Sequence, residues 1–360
     1  MLKLHIVNTF FEWELETNPK CPLSEGFSQH PIFRQLQFLP LLYATSGEGI
    51  LLADHPENGY LEKMRDRGIL LPHLFNLSEP FFKEQMEIES WGASQLIAKF
   101  AKKHSLVYDI PDFALLRQVN SKRFSFECSH KLSLATLLEN ETEAKRWLES
   151  FQGKKVLKTC YGVSGKGHLI IDHPSYSWER ITSFLKREWN KELPVIAEPW
   201  VERILDFSTQ WLVHKDQTIT YIGSTLCEND SKGKYRSNTV GEEKELFGTY
   251  ASFLQEHIEI AHPIVSKIAK MGFFGNLGID AMIYTLPDDP DIPLLHPIVE
   301  INARKTMGWA ALMHQKRDHP NSKVRFSFAP SGNGCLPQSI LEKNGKITSF
   351  QHNLSIEVYN

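Results

Sequence analysis

Two late segments place polar side chains where apolar strands are expected. Gly278-Ile-Asp-Ala-Met-Ile-Tyr284 sets Asp280 inside an apolar run, and Val299-Glu-Ile-Asn-Ala-Arg304 sets Glu300 and Asn302 two residues apart. Side chains alternate along a strand, so Glu300 and Asn302 share a face, and Arg304 follows on the same side. A carboxylate in such a strand is costly to bury unless it is paired or bound to a cation. Two carboxylates and an amide oxygen are hard ligands, suited to Mg²⁺ bridging phosphate oxygens. The planar fork of Arg304 suits a phosphoryl group or a carboxylate. Simpler readings stand beside these: Asp280 capping a strand end, and Glu300 pairing with Arg304.

A glycine loop offers complementary charge. The stretch from Val156 to Ile171 reads as strand, loop, strand, with Gly162, Gly165 and Gly167 in the loop and Lys158 and Lys166 as its cations. Glycines allow positive φ and close backbone approach, so such a loop can aim several N–H groups at phosphate oxygens. It is not a P-loop, because Lys166 is followed by Gly167 and Cys160 stands where the first glycine is needed. It is not a dinucleotide fingerprint either, because a strand follows it instead of a helix. Two readings remain, a flap of two strands over a phosphate chain and a plain glycine-rich hairpin.

The surrounding pattern must position these residues. Leu2 to Asn8 and Gly49 to Asp54 read as strands, with a helical face over Pro31 to Tyr43 that Pro40 interrupts. Glu89 to His104 carries Trp91, Leu96, Ile97 and Phe100 at helical steps. A basic helix start follows at Asn120-Ser-Lys-Arg-Phe, then strands at Lys155 to Lys158 and His168 to Asp172, a helix at Trp178 to Trp189 and a strand at Val195 to Glu198. Ser208 to His214 and Thr218 to Ser224 pair as a hairpin, and Lys244 to Met271 is the longest helical stretch. Gly278 to Thr285 and Pro297 to Asn302 are strands, with Leu286 to His296 as a surface loop rich in Pro and Asp. Asn344-Gly345 signals a late hairpin. This divides the chain into a small α/β unit at 1–118, a lobe with the glycine loop at 119–200, a lobe with the acidic set at 201–320 and a C-terminal β-hairpin tail at 321–360.

Bulk properties exclude several classes. With 360 residues, 41% hydrophobic, 23% charged and a net charge of −3, the chain is an ordinary globular one with no basic footprint for nucleic acid. Its five cysteines are scattered and never form a C-x-x-C pair, which disfavours a zinc site or a disulfide framework. Cys160 reads as buried filler. The start, Met1-Leu-Lys-Leu-His-Ile-Val, lacks the apolar core of a signal peptide, and no apolar run nears the roughly 18 residues that span a bilayer. The expectation is a cytoplasmic protein with no membrane partner. None of the 15 histidines forms a metal-spaced pair; His296 reads as structural, and Trp91 and Trp309 as packing residues.

In order and spacing, these motifs resemble the ATP-grasp superfamily from about Asn120 to His314, with a preceding region similar to a pre-ATP-grasp domain. The resemblance implies an α/β protein of α+β subdomains in which ATP lies between two α+β lobes. It implies that Lys122 and Lys158 contact the nucleotide, and that Gly162, Ser164, Gly165, Lys166 and Gly167 form the flap. Ala197-Glu-Pro-Trp-Val201 becomes the hinge, with Glu198, Trp200 and Val201 around the adenine and Glu202 or Asp206 near the ribose. Asp280, Glu300 and Asn302 become ligands for Mg²⁺, with Mn²⁺ as a substitute, and Arg236 and Arg304 become the catalytic cations. The implied reaction joins a small-molecule carboxylate to an amine through an acyl phosphate, releasing ADP and phosphate; a small-molecule kinase and an ATP-binding protein without turnover are the alternatives. Homodimers are common among such enzymes. The run Ala303-Arg-Lys-Thr-Met-Gly308 departs from the Thr/Ser-x-Pro-Gly-like run of the D-alanine ligase branch, which leaves the substrates open.

Overall fold

The computed structural model describes all residues except 81, 83–84, 163–166, 173–176, 232, 331–333, 343 and 360. Its N-terminal unit contains β1 (Leu2–Ile6), α1 (Phe11–Thr17), α2 (Leu23–Ser28), α3 (Pro31–Leu36), β2 (Gly49–Leu52), β3 (His55–Pro56), α4 (Tyr60–Asp66), β4 (His73–Asn76), β5 (Met86–Ser90) and α5 (Gln95–Lys103). Strands β4-β2-β1-β5 form a parallel sheet. Leu4, Ile6, Ile50, Leu51, Met86 and Ile88 are buried in it, the apolar signature of a parallel sheet covered on both faces.

The single helix expected over Glu89 to His104 is a correction. Met86 and Ile88 alternate with Glu87 and Glu89, so this stretch pairs with β1 as a strand. Helix α5 begins only after Ser94, whose hydroxyl accepts from the Ile97 amide at 3.2 Å. Likewise α3 ends at Leu36, and Pro40 sits in a separate 3₁₀ turn, Leu39–Leu42.

The middle lobe contains α6 (Phe113–Val119), α7 (Lys122–Cys128), β6 (Thr136–Leu138), α8 (Glu141–Glu149), β7 (Lys155–Lys158), β8 (His168–Ile171), α9 (Trp178–Trp189) and β9 (Val195–Pro199). Its antiparallel sheet runs β6-β9-β7-β8. Helices α8 and α9 cover one face through Trp147, Leu148, Ile181 and Leu185.

The large lobe contains β10 (Glu202–Val213), β11 (Ile219–Asn229), β12 (Tyr235–Val240), α10 (Glu243–Phe247), α11 (Ala251–Lys270), β13 (Gly275–Leu286), β14 (Asp289–Asn302), α12 (Met307–Asp318), β15 (Lys323–Pro330), β16 (Ser339–Leu341), β17 (Ile347–Ser349) and β18 (His352–Tyr359). Its antiparallel sheet runs β14-β13-β10-β11-β12-β15-β18. Three expectations change here. Leu286 to His296 is a hairpin turn and strand, not a loop. Its prolines are tolerated because β14 is an edge strand and Pro290 and Pro293 fall where its register with β13 is interrupted. The long helix is split by Gly248 at φ +50. Residues 321–360 are not a separate tail: β15 and β18 complete the large sheet, while β16 pairs with both β17 and β3 of the N-terminal unit. One core accordingly joins Phe38, Leu41 and Ile50 to Ala310, Leu312, Val324 and Phe326. No helix among the described residues is long and apolar enough to cross a membrane.

Candidate functional site

The sheet register brings the late polar residues together. Strands β13 and β14 pair so that Asp280 faces Glu300 and Gly278 faces Asn302. On the other side of β13, Asp280 faces Ser208 of β10. A bulge follows on β14, between the pairs Asp280–Glu300 and Met282–His296; bulges often sit beside sites and re-aim side chains. Two carboxylates directly opposite one another repel. The Asn302 amide donates to Asp280 at 3.1 Å. Burial and the Glu300 charge push the Asp280 carboxyl up to about 6, against the pull of Ser208, Arg304 and Asn302.

Four cations stand around the pair, each held by a carboxylate. Lys122, the first residue of α7, donates to Glu300 at 2.5 Å and to the Gly162 carbonyl at 2.8 Å. Lys158, at the end of β7, donates to Glu198 of β9 at 2.5 Å. Burial raises the Glu198 carboxyl, but Lys158, His296 and Arg203 outweigh that and leave it below its ordinary value. Arg203 lies 3.1 Å from Asp206. Arg304 donates through Nε to Glu12 of α1 and at 3.0 Å to the Lys305 carbonyl. The expected partner for Arg304, Glu300, is taken by Lys122.

The acidic pair and the four cations line one cavity of about 260 Å³ between the two lobes, together with Gly162, Gly167, Trp200, Asp206 and Asn302. Gly162 and Gly167 have φ of +141 and +87, and a Cβ on Gly167 would lie 2.5 Å from the Thr159 hydroxyl, so both loop ends need glycine. Ser164, Gly165 and Lys166 lie outside the described residues. Trp200 is flanked by Lys154 at 4.9 Å and Arg203 at 5.1 Å. Glu198 lines a smaller adjoining cleft with His296, Lys122 and Lys158. Val201 packs on Leu132 and Met282, away from the cavity wall. Arg236 is exposed, 3.4 Å from Asp230, and is not among the lining residues, whereas its neighbours Tyr235 and Asn238 are.

Sequence reading missed the lining residue Ser208 and several residues that support the site from behind. Ser208 and Gln210 line up behind Asp280: Gln210 donates to Ser208 at 2.8 Å and accepts from Thr306 at 2.9 Å. Their signal was present, since Ser208-Thr209-Gln210 is a polar run inside a strand, and all three are buried. Glu12 and the buried Lys305, paired with Glu89 at 2.7 Å and lying over the Trp309 ring at 4.4 Å, had no local signal. Trp309 and Cys160 are packing residues, as read.

Among the described residues, no group of three or more His, Cys, Asp or Glu could hold a metal. The donor set here is two carboxylates and an amide. That composition fits a hard divalent ion which takes its remaining oxygens from phosphate or water. The opposed carboxylates and the raised Asp280 express the same demand for positive charge.

No family model matches the chain. It is 25% identical over 291 residues to the ligase of Niallia circulans named for L-glutamate and the butirosin acyl-carrier protein; the match takes in 78% of this chain and 66% of that protein, just under two thirds of the relative's length. It is similar in structure to a Campylobacter jejuni biotin carboxylase complexed with β,γ-ATP, with a TM-score of 0.50, 12% identity, 70% of this chain and 61% of that one. It is also similar to a Rhizobium etli pyruvate carboxylase variant bound to acetyl coenzyme A, with a TM-score of 0.51, 13% identity, 99% of this chain and 35% of that one.

Proposed function

We propose that this chain is a member of the ATP-grasp superfamily and an ATP-dependent carboxylate–amine ligase working in the cavity between its two lobes. The observation that carries this reading is the register that sets Asp280 against Glu300, with Asn302 beside them and the cations Lys122, Lys158 and Arg304 in the same cavity. Asp280, Glu300 and Asn302 would hold Mg²⁺, with Mn²⁺ as a substitute, and the ion would supply charge neutralisation at phosphate oxygens.

The chain's own groups do the rest. Lys122 and Lys158 bind phosphate oxygens, exchanging Glu300 and Glu198 for them. Trp200, with Glu198 at its side, forms the wall for the base, and Asp206 faces the ribose. Arg304 orients the acid, whose carboxylate oxygen attacks the γ-phosphorus; the P–O bond to ADP breaks and an acyl phosphate forms. The amine then attacks the acyl carbon, phosphate leaves, and the nitrogen loses a proton. Such phosphoryl transfer is driven by positioning and charge stabilisation, so no side-chain nucleophile is needed. The glycine loop screens the acyl phosphate from water. Arg236, exposed on β12 beside the lining residue Tyr235, is the proposed second catalytic cation. The name of the curated relative makes L-glutamate the first acid to try, and a carrier-protein acceptor the second reading after a free amine. A cytoplasmic location belongs to the same proposal.

The test is a panel of acids, L-glutamate first, and amines, with ADP and free phosphate measured together. A ligase releases both only when acid and acceptor are present. ADP with a phosphorylated acceptor and no free phosphate identifies a kinase, and ATP binding without ADP identifies a non-catalytic protein. Glu300→Gln should abolish turnover with the circular dichroism spectrum unchanged; full activity in that variant removes the metal assignment.

A further inference from the structure

Lys122 touches two parts of the site, the acidic pair and the start of the glycine loop. Its ammonium donates to Glu300 Oε1 at 2.5 Å and to the carbonyl of Gly162 at 2.8 Å. Both side chains are largely buried, at 16% and 25% exposure, so water screens the pair less than at the surface. The placement is built in from both ends. The Lys122 amide donates to the Cys160 carbonyl at 2.9 Å, and Ser121 caps α7 through the Arg123 amide at 3.3 Å. The start of the helix is therefore pinned to the strand that leads into the glycine loop. Glu300 is fixed by its pairing with Asp280 across the ladder.

We infer that Lys122 is the resident counter-cation of Glu300, so that a divalent ion enters this site together with nucleotide and not ahead of it. The inference rests on the proposed function, because it takes Asp280, Glu300 and Asn302 as the metal set. An ammonium already in contact with Glu300 neutralises half of the two-carboxylate charge and repels a second cation brought to the same oxygens. The proposed metal set holds two carboxylates, Asp280 and Glu300, and its third donor is a neutral amide. A triphosphate changes this balance. Its oxygens offer the ammonium a replacement partner, which frees Glu300, and they complete the shell of the ion. Metal and nucleotide then favour one another's binding, and the coupling is reciprocal. The same exchange releases the Gly162 carbonyl. Gly162 itself sits at φ +141, a conformation open to glycine.

The experiment measures Mn²⁺ alone, by the paramagnetic resonance signal of the free ion, against wild type, Lys122→Met and Lys122→Arg. In parallel, calorimetry measures ATP affinity with and without Mg²⁺. Lys122→Met should bind Mn²⁺ without nucleotide at least about tenfold more tightly than wild type, within the usual range of coupling between sites. Lys122→Arg keeps the charge and should bind Mn²⁺ as weakly as wild type. The Mg²⁺-dependent gain in ATP affinity should shrink in Lys122→Met. Mn²⁺ binding by Lys122→Met that is equal to wild type, weaker or absent overturns the inference, as does tighter binding by Lys122→Arg. Near-ultraviolet circular dichroism establishes that each variant is folded, and Lys122→Gln replaces Lys122→Met if that variant is not. Failure of the underlying reading looks different: wild type would then bind no ATP even with Mg²⁺.

Discussion

The clearest quantitative consequence of the fold is an acid sensitivity located at His257. This residue of α11 is fully buried, with Nδ1 2.9 Å from the Pro297 carbonyl and Nε2 2.7 Å from the Thr209 hydroxyl. A carbonyl only accepts, so Nδ1 carries the proton. Trp211 donates to the same Thr209 hydroxyl at 2.9 Å, which leaves that hydroxyl to donate to Nε2. The neutral ring thus uses every donor once. Protonation at Nε2 would set a donor against the hydroxyl hydrogen and bury a charge. Burial accordingly lowers the pKa from 6.5 to about 4, against the opposing pull of the Pro297 carbonyl. Between those values the unfolded chain binds more protons than the folded one. The stability tied to the neutral ring is fully present above pH 6.5 and is lost as the pH falls toward 4. The whole gap is worth about 3 kcal/mol, of which most, about 2 kcal/mol or slightly more, is gone by pH 4.5. The variant is His257→Gln, which keeps a donor and an acceptor and does not titrate. Urea denaturation at pH 7.5 and 4.5 should show wild type losing about 2 kcal/mol more than the variant. Equal losses, or an NMR titration placing His257 near 6.5, would refute the reasoning; His296, also lowered to about 4, is present in both proteins and cancels.

Three further predictions follow from packing and charge. In the Lys305–Glu89 pair the ammonium is the buried partner, 1% exposed against 30%, so Glu89→Gln should cost about 3 kcal/mol by orphaning it. Lys305→Met should cost clearly less, because Glu89 reaches water; denaturation midpoints that reverse this order would sink it. A Cβ at Gly308 would lie 2.7 Å from the buried Thr225 hydroxyl, so Gly308→Ala should lose about 1–3 kcal/mol, and an unchanged melting temperature would show that α12 shifts freely. Lys158→Ala should weaken ATP binding about tenfold or more, as expected for a charged hydrogen bond, and calorimetry showing equal affinity would remove Lys158 from the nucleotide site.

What could be read from the sequence was whatever is encoded within a few residues. Helix α9 spans Trp178–Trp189 as its periodicity indicates. The acidic set stood out because a charge inside an apolar strand has few bland explanations, and alternation alone put Glu300 and Asn302 on one face. Errors came where local pattern was ambiguous or where context overrode it. Glu87 to Trp91 fits a helix as well as a strand until β1 is there to pair with. The prolines after Leu286 look like loop until β14 is known to be an edge. The partners of Arg304 and Lys305, Glu12 and Glu89, lie in the N-terminal unit, and nothing local links residues that far apart. Strands β15 and β18 were hidden for the same reason: their place in the large sheet depends on β12.

The charge pattern of the cavity then gains a specific meaning. Lys122, Lys158, Arg203 and Arg304 are matched one to one by Glu300, Glu198, Asp206 and Glu12. Among the described residues, Asp280 is the cavity carboxylate that touches no cation; Asn302 and Ser208 are its polar neighbours. Among the described residues, these four cations offer an entering polyanion no surplus of free positive charge. A phosphate oxygen that meets one of them takes it from an internal carboxylate, so their share of the affinity arises from exchanged partners and not from a net attractive field. Every such exchange leaves a carboxylate uncovered, and Glu300 is uncovered next to Asp280. The cavity therefore becomes more negative at the acidic pair as its cations turn to the phosphates, which is the condition under which a divalent ion is held there. Long-range attraction is screened within about 10 Å at 0.1 M salt, whereas buried exchange is screened much less. Nucleotide affinity should accordingly fall only shallowly with added salt while depending steeply on the divalent ion. A steep fall with salt, measured by calorimetry between low and moderate ionic strength, would mean instead that unpaired cations govern binding.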